Sequence, residues 1–253
     1  MRICFVTHGR APALTRDDRQ AADACRARGL AVAAGAWDDP SVDWAGFDQV
    51  VLRSTWNYHL VPDLFDAWLD RLSALGVTVW NPVPVLRWNA GKTYLTALGE
   101  VGVPVVPTRV LAPGAVPAPD RWAADFGTPE AVMKPAVGAS AHGVLRIRLD
   151  EPGIRDRLRE AAVDGPVLVQ PFEVGVQERG EWSAIFLAGR YSHAVLKRPA
   201  AGDFRVQEEL GGRACPGRLP RPSGSSVGRP WPRRRAIPST PVSTRSRGRR
   251  GRA

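Results

Sequence analysis

Three lysines are the side chains of this chain that are best suited to chemistry. Of its 35 lysines and arginines, only Lys92, Lys134 and Lys197 are lysine. A chain this rich in arginine can place arginine wherever either cation serves, so a lysine favours a position that needs a compact ammonium on a flexible stem. A phosphate site is such a position, and we interpret Lys92 and Lys134 in this way. For Lys197 an ordinary surface cation is an equally good interpretation.

Lys92 and Lys134 each adjoin a segment that suits a phosphate site. Lys92 opens a stretch of helical pattern that runs from about residue 90 to 100, and Lys134 ends a short apolar strand. The small-residue loop Val137–Gly143 follows that strand. Small residues let backbone N–H groups approach phosphate oxygens without a Cβ in the way. The candidate contacts in this loop are Gly138, Ser140 and Gly143.

The sequence Gly91-Lys92-Thr93 does not form a P-loop. A Walker A motif requires a glycine five residues before its Gly-Lys pair, and Leu86 occupies that position. The preceding segment, Pro82–Arg87, also lacks the pattern of a buried strand. Any nucleotide site is therefore expected to be assembled from separate segments.

Later segments extend the predicted nucleotide site. The strand that begins at Val167 leads into Gln170–Val174, which offers backbone edges and an apolar wall to an adenine ring. Glu181 could accept hydrogen bonds from ribose hydroxyls. Each segment alone is weak evidence, since a loop after a strand is usually only a loop, but the series in chain order is a stronger indication. The candidates in the adenine-facing segment are Gln170, Phe172, Glu173 and Val174.

Residues 1–82 alternate strand-like and helix-like segments, as in an open parallel α/β sheet. Strands are predicted at Ile3–Thr7, Leu30–Ala34, Gln49–Arg53 and Val77–Trp80, and helices at Arg16–Arg28 and Pro62–Leu75. Ligands of such sheets bind beyond the carboxyl ends of the strands. Arg53, Ser54 and Thr55 lie at such an end and are the candidate substrate contacts. The alternative is a structural turn whose Trp56 and Tyr58 pack inward.

From residue 83 to 212 the pattern is typical of an α+β domain with mostly antiparallel strands. Ala131–Lys134 and Gly143–Leu149 are expected to pair on either side of the small-residue loop. Further elements are predicted as a helix at Pro152–Val163 and strands at Val167–Gln170, Trp182–Ala188, Tyr191–Leu196 and Phe204–Glu208. The expected fold class is therefore α/β followed by α+β, in domains of residues 1–82 and 83–212.

The net charge of +10 belongs to the end of the chain. From Arg213 to Ala253 there are twelve arginines and no Lys, Asp or Glu, so residues 1–212 have 23 basic and 25 acidic residues, a net of −2. This Pro-, Arg-, Ser- and Gly-rich segment has no hydrophobic period, so we expect residues 213–253 to be a disordered basic tail. Its abrupt start suggests out-of-frame translation of GC-rich DNA. It could also bind nucleic acid without specificity, although the body shows no nucleic-acid module.

Length and composition exclude several classes of protein. At 253 residues, 44% of them hydrophobic, the chain can bury a sizeable core. No apolar run approaches the roughly 20 residues that span a bilayer, and the first apolar run is too short for a secretory signal. Three cysteines and four histidines without metal spacing predict neither a disulfide framework nor structural zinc, so a reducing cytoplasm is the expected location.

Together these features resemble the ATP-grasp superfamily, on its glutathione-synthetase-like branch and in the group that includes the cycloserine-forming cyclo-ligase. The resemblance covers residues 1 to about 212. Its most telling stretches are Val51–His59, Trp80–Pro82 with Trp88–Asn89, Lys134–Pro135 with the loop, and Ser192–Arg205. It implies a Rossmann-like substrate domain followed by two subdomains that close over ATP. Such enzymes activate a carboxylate as an acyl phosphate, which an amine or a similar nucleophile attacks.

The resemblance also implies roles for particular residues. Lys92 and Lys134 would match the two ATP lysines, Gln170–Val174 the adenine hinge, Glu181 a ribose contact and Arg205 the arginine that faces the γ-phosphate. Lys197 joins Arg205 as a candidate catalytic cation, because such catalysis is mostly positioning and charge neutralisation. The implied cofactors are ATP and Mg²⁺. The implied partners are a small amino-acid-like carboxylate and, as in related ligases, a second copy of the chain.

The sequence departs from this family near its end. The family's magnesium ligands are acidic residues and a Glu-x-Asn-like element on late strands, and here no Asp, Glu or Asn follows Glu209. Mg²⁺ requires hard oxygen ligands, so no metal-ligating residue is predicted and the last subdomain is expected to be incomplete. We therefore expect the polypeptide as written to be inactive or nearly so. A non-catalytic nucleotide-binding pseudo-enzyme is the alternative.

Overall fold

The computed structural model describes residues 1–219. Its first sheet has four parallel strands in the order β2-β1-β3-β4. The strands are β1 (Arg2–Thr7), β2 (Ala31–Ala36), β3 (Gln49–Leu52) and β4 (Thr78–Trp80). The predicted open parallel sheet is confirmed. Its central strand, β1, is buried along all but its first residue, because it has a neighbour on each side and a helix over each face.

Helices α1 (Arg16–Arg26) and α2 (Pro62–Ala74) cover opposite faces of this sheet. Ile3 and Phe5 of β1 pack with α1, and the alternate residues Cys4 and Val6 pack with α2, as the two-residue period of a strand requires. Helix α2 starts with a proline. An N–H in the first turn of a helix has no acceptor within the helix, so the absence of this N–H in proline loses no hydrogen bond there. Its buried residues recur at helical spacing, and they are Phe65, Trp68, Leu69 and Leu72.

Strands β1 and β2 approach each other closely at Cys4. The Cys4 side chain is fully buried, and burial raises the pKa of its thiol to about 12. A Cβ placed on Gly35 of β2 would lie 2.8 Å from the Cys4 Sγ atom. Position 35 therefore requires glycine for steric reasons, although its backbone is ordinary strand.

The second sheet has four antiparallel strands in the order β5-β8-β6-β7. Its strands are β5 (Arg109–Leu111), β6 (Glu130–Pro135), β7 (Leu145–Arg148) and β8 (Val167–Pro171). The accompanying helices are α3 (Val83–Ala90), α4 (Tyr94–Glu100), α5 (Pro119–Phe126), α6 (Ile154–Ala161) and α7 (Val174–Arg179). The predicted strand pair around the small-residue loop is confirmed, with Met133 opposite Leu145.

A third sheet has the order β11-β10-β9. Strands β9 (Glu181–Leu187) and β10 (Arg190–Arg198) correspond to the strands predicted at Trp182–Ala188 and Tyr191–Leu196, and β11 (Arg213–Gly217) is the other neighbour of β10. The described chain divides into two compact units. The larger consists of Met1–Glu181 with Lys197–Ala214, and the smaller of Trp182–Leu196 with the described residues from Cys215 onward.

Two predicted elements differ in the structure. The helix expected over residues 90 to 100 begins only at Tyr94, because residues 91–93 are not helical and the Lys92 N–H donates to the Ala136 carbonyl at 2.7 Å. Phe204–Glu208 was predicted as a strand, and this is wrong: residues 203–207 are irregular. Its alternating apolar residues reflect burial instead, since Phe204 packs on Phe172 and Val206 is 7% exposed.

The predicted basic tail overlaps the described structure. Its first residues form the exposed edge strand β11 rather than disordered chain, so the expected start at Arg213 is too early. Residues 220–253, where most of the predicted tail falls, lie outside the described residues. Within residues 1–219, no helix is both long enough and apolar enough to cross a membrane.

Candidate functional site

A cavity of about 470 Å³ lies where the small-residue loop meets strands β6 and β8. The predicted site residues that line it are Lys92, Lys134, Gly138, Ser140, Gln170, Phe172, Glu173, Glu181 and Arg205. The predicted site residues that do not line it are Gly143, Val174, Lys197, Arg53, Ser54 and Thr55. The fold thus brings segments that are distant in sequence to one cavity.

Two partly buried ammonium groups distinguish this cavity from an ordinary surface cleft. Burial is the main cause that lowers the pKa of both Lys92 and Lys134, and repulsion from Lys134 lowers that of Lys92 further. The Glu181 carboxylate acts in the opposite direction on Lys134. The Lys92 Nζ atom donates a hydrogen bond to the Gly138 carbonyl. Two cations held this close together favour an anion between them.

The small-residue loop is shaped by three residues in the left-handed region of backbone space. Ser140 and Ala141 have φ of 50° and 55°, which is uncommon for residues with a Cβ, and Gly143 has φ of 68°. A Cβ on Gly143 would lie 2.8 Å from the Cγ atom of Pro135. Gly143 does not line the cavity, but its backbone permits the turn that brings Ser140 to it.

The segment after β8 forms an apolar side of the cavity. The Phe172 N–H donates to the Glu130 carbonyl at 3.0 Å, which fixes the chain as it leaves the strand. The Phe172 ring meets Phe204 edge-on at 5.6 Å, and the Arg146 guanidinium lies 3.9 Å from its centroid. The buried Gln170 amide donates to the Thr108 hydroxyl at 2.8 Å. Val174, by contrast, is 52% exposed at the start of α7.

Arg205 reaches the cavity in a fixed orientation. The Asp203 carboxylate accepts hydrogen bonds from the Arg205 side chain and backbone, the closest side-chain distance being 2.8 Å. These contacts hold the pKa of Asp203 well below its usual range and raise that of Arg205. The Arg205 guanidinium is therefore a permanently charged group that Asp203 holds in place.

The substrate candidates lie at the carboxyl edge of the parallel sheet, around the buried carboxylate of Asp18. Arg53 Nε donates to one Asp18 oxygen at 2.7 Å and the Ser54 hydroxyl donates to the other at 2.5 Å. Burial alone would raise the pKa of Asp18, but hydrogen bonds from Ser54, Arg53 and Thr15 lower it overall. Arg53 stays 40% exposed at this edge.

The predicted structural turn after β3 is only partly inward-facing. Tyr58 packs on Phe65 of α2 with ring centroids 5.2 Å apart. Trp56 is 49% exposed, and its ring lies 6.4 Å from that of His8. The turn therefore has one anchoring aromatic and one aromatic at the surface, beside the Asp18 cluster.

Known proteins resemble this chain over most of its described length. Residues 3–81 match the family model of the D-cycloserine synthetase DcsG N-terminal domain. The cycloserine biosynthesis protein DcsG of Streptomyces lavendulae is 38% identical over 184 residues, 69% of this chain and 60% of that protein. The crystal structure of D-cycloserine synthetase DcsG matches with a TM-score of 0.73 and 31% identity, over 78% of this chain and 68% of that one. The chain belongs to the ATP-grasp superfamily.

This ATP-grasp chain is also related to glutathione synthetases. The glutathione synthetase of Prochlorococcus marinus (strain MIT 9313) is 38% identical over 155 residues, 60% of this chain and 47% of that protein. The chain thus spans about half to three fifths of the length of these curated relatives. The resemblance and the fold class expected from the sequence are confirmed.

ATP-grasp membership implies ATP and Mg²⁺, and the described residues fit the two unequally. The paired ammonium groups and the glycine-containing loop fit a polyphosphate. Within residues 1–219, no group of three or more His, Cys, Asp or Glu side chains is arranged to hold a metal ion. The described residues therefore offer a polyphosphate site without a cluster of metal ligands, and no step is derived through Mg²⁺.

One contact of this ATP-grasp chain was not predicted from the sequence. His142, in the small-residue loop, lines the cavity, and its ring centroid is 5.3 Å from that of His59. His59 belongs to the turn that follows β3. The only sequence signal was that His142 interrupts a run of small residues, and its neighbour depends on the tertiary fold. The cavity wall also includes apolar residues not singled out from the sequence, namely Val106, Val132, Val144 and Val206.

Proposed function

We propose that this chain is an ATP-dependent carboxylate ligase by descent, of the carbon-nitrogen or cyclo-ligase type, which activates a small amino-acid-like substrate as an acyl phosphate. The supporting observation is the pair of partly buried ammonium groups, Lys92 and Lys134, in one cavity with a glycine-containing loop. Phosphoryl transfer requires positioning and charge neutralisation more than a strong acid or base. This cavity has the groups for that chemistry.

In this proposal each side of the cavity binds a different part of the nucleotide. Lys92, Lys134 and the loop amides neutralise and orient the phosphates. Phe172 and the valine wall contact the adenine ring, and Glu181 accepts hydrogen bonds from the ribose hydroxyls. Arg205, held by Asp203, faces the transferring phosphoryl group, which ATP supplies when it is bound.

The Asp18 cluster is proposed to hold the substrate carboxylate. Among residues 1–219, the hydrogen bond from Arg53 to Asp18 is made by Nε, and the two Nη groups are proposed to make a bidentate contact with a carboxylate. The Ser54 hydroxyl donates to Asp18 and is 3% exposed, so Ser54 fixes this cluster rather than contacting substrate. Thr55 lies next to it at the sheet edge. Lys197 stays a candidate cation without a defined contact.

We further propose that the polypeptide as written turns over slowly or not at all. After Glu209 it has no Asp, Glu or Asn, and the triphosphate charge needs divalent-metal ligands of that kind. The twelve arginines from Arg213 onward are proposed to result from a shifted reading frame. Resequencing codons 205–230 and translating all three frames tests this, because the correct frame would restore acidic residues and a Glu-x-Asn-like element.

The decisive experiment measures ATP binding and ADP release separately, on the full chain and on the chain with a restored frame. We expect saturable ATP binding by both and ADP release, with a panel of small amino-acid carboxylates, by the restored chain. Robust ADP release by the 253-residue chain would refute the proposed impairment. Absence of ATP binding by both chains would refute the proposed function itself.

A non-catalytic nucleotide-binding protein is the second candidate, because residues 1–219 offer a polyphosphate cavity but no metal cluster. ATP binding that is unchanged by removal of magnesium, with no turnover in any frame, would favour it. As working hypotheses we retain domain boundaries near residues 82 and 212, a cytoplasmic location and a homodimer. Specific nucleic-acid binding is not proposed.

A further inference from the structure

Two imidazole rings join the turn after β3 to the small-residue loop. His59 lies in a short 3₁₀ turn, Tyr58–Leu60, and His142 lies in the loop that lines the cavity. The ring centroids are 5.3 Å apart at an interplanar angle of 52°, which is a normal geometry for an attractive aromatic pair. The contact therefore connects the segment of the substrate candidates with the segment of the phosphate candidates.

Each ring has a backbone held in place by independent contacts. The turn of His59 is anchored to α2, because its neighbour Tyr58 packs on Phe65. The His142 N–H donates to the Ala139 carbonyl at 2.9 Å, within the turn formed by Ser140 and Ala141. If the loop moved away from β3, the contact between the two rings would therefore be lost.

The His59 ring is held by its packing on His142 and by an interaction with the Trp56 backbone. Its Nδ1 atom is buried and has no hydrogen-bond partner among the described residues. A buried polar atom without a partner is costly, so its presence calls for an explanation. The buried Nδ1 atom is explained if the ring is kept there for its contact with the loop, at a position that disfavours a charged ring.

The electrostatic surroundings disfavour a charged His59. Burial is the main cause that lowers its pKa, with His142 and Lys92 adding to the effect and the Trp56 backbone opposing it. The other charged groups that line the cavity beside His142 are Lys92, Lys134, Glu173, Glu181 and Arg205, the last paired with Asp203. Of these groups, Lys92 is the cation whose charge acts on His59.

We propose that His59 is a positioning residue that holds the small-residue loop over the cavity through its ring contact with His142. This proposal depends on the proposed nucleotide site, and it adds a link between that site and the substrate edge. Neither histidine is proposed to transfer a proton or to bond to a phosphate. The contact fixes the positions of the loop amides and of Ser140 before ATP binds.

The expected pH dependence follows from the lowered pKa of His59. A loop that moves away releases His59 to an ordinary environment, where it takes up a proton near pH 6.5. The closed arrangement holds His59 neutral to lower pH, so protonation favours the open loop. The contact is therefore complete above pH 6.5 and is lost as the pH falls below that value.

The test measures the dissociation constant of ATP at pH 8.0 and pH 5.5 for the full chain and its His59→Ala, His142→Ala, double and His59→Phe variants. The chain has four histidines, and His193→Ala is the matched control because His193 lies in strand β10. ATP itself takes up a proton in this range, so each variant is compared with the parent at the same pH.

At pH 8.0 each alanine variant is expected to bind ATP roughly 2- to 10-fold more weakly, the usual range for one aromatic pair. The double variant should be no worse than either single variant, since both remove one contact. His59→Phe should bind as the parent does at pH 8.0 and better than the parent at pH 5.5, because it keeps the ring and cannot be protonated. His193→Ala should match the parent at both values.

Three outcomes would overturn the positioning role: alanine variants that match His193→Ala, additive losses in the double variant, or a His59→Phe variant that weakens with acid as the parent does. Hydrogen exchange of residues 137–143 in the ligand-free chain supplies a second measurement, in which both alanine variants should exchange faster than the control. If ATP does not bind at all, the proposed function fails, and equal exchange in all variants would then reject the ring contact separately.

Discussion

Individual side chains determine the charge of the cavity, and Lys134 is the clearest example. Its ammonium is partly buried, next to a second ammonium and one opposing carboxylate. An anion that enters the cavity relieves this repulsion, whereas water relieves it only in part. At this scale local patterns pointed to residues that the fold brings to one cavity, because strand ends and small-residue loops are visible in the sequence. Their part in nucleotide binding stays a prediction.

Replacement of Lys134 by alanine should weaken ATP binding by roughly 10- to 100-fold, the range expected for a lost hydrogen bond to a charged group. The pKa of Lys92 should rise in this variant, because a neighbouring positive charge is removed. Calorimetric titration with ATP measures the first effect. Arg121→Ala is the charge-matched control, since Arg121 is exposed on α5. Equal loss in both variants would mean that general charge, and not the cavity, binds ATP.

Asp18 is the residue whose loss should affect stability most at the sheet edge. Asp18→Asn removes the negative charge and replaces one of the two oxygens that accept hydrogen bonds from Arg53 and Ser54 with an NH₂ donor, and it should lower the free energy of unfolding by about 1–3 kcal/mol. The effect should be present at pH 7 and shrink as the pH falls below about 4, because a carboxylate with a lowered pKa stabilises only while ionised. Urea unfolding at both pH values measures it, and the exposed Asp17→Asn is the control.

At the scale of elements, local pattern predicted the regular strands and failed where tertiary contacts decide. The apolar alternation of Phe204 and Val206 indicated a strand, but both residues line the cavity without strand pairing, Val206 buried and Phe204 half-buried. The expected helix near Lys92 starts only at Tyr94, because the Lys92 N–H donates to the carbonyl of Ala136, just before the small-residue loop. The contact between His59 and His142 had no sequence signal, since it joins two segments that only the fold brings together.

The turn at Gly143 gives an element-scale prediction. Gly143→Ala should disturb the loop more than an ordinary positive-φ substitution, because its Cβ would also collide with Pro135. Gly114→Ala is the matched control: it has a φ of 74° and open space around the added Cβ. We expect Gly114→Ala to lower the free energy of unfolding, measured by thermal unfolding, by about 1 kcal/mol without changing ATP affinity. Gly143→Ala should cost more and weaken ATP binding, and equal behaviour of the two would remove the steric argument.

At the scale of the whole molecule, charge and chemistry belong to different parts of the chain. The cavity and the parallel sheet lie in the near-neutral body, and the excess of arginine lies at the end. Composition alone was sufficient to predict this separation. The chain's net charge is therefore no guide to the ligand of the cavity.

Removal of residues 220–253 should abolish retention on DNA at low salt and leave ATP binding unchanged. These residues include ten arginines and no Lys, Asp or Glu, so the net charge falls from +10 by ten to zero. Non-specific binding to DNA depends on such cations and decreases steeply with salt. Heparin or DNA chromatography at graded salt measures it. Unchanged retention would place the DNA affinity in the body, and lost ATP binding would show that the body depends on the removed residues.

The close approach of Cys4 to Gly35 gives the parallel sheet a chemical reporter of its own opening. Only a thiolate reacts rapidly with alkylating reagents, and the Cys4 thiol is both fully buried and held protonated to about pH 12. Cys215 is exposed and Cys25 only partly covered. The first two thiols labelled therefore come from the surface, and the third is labelled only when β1 separates from its neighbours. The rate of that third modification measures how often the centre of the sheet opens.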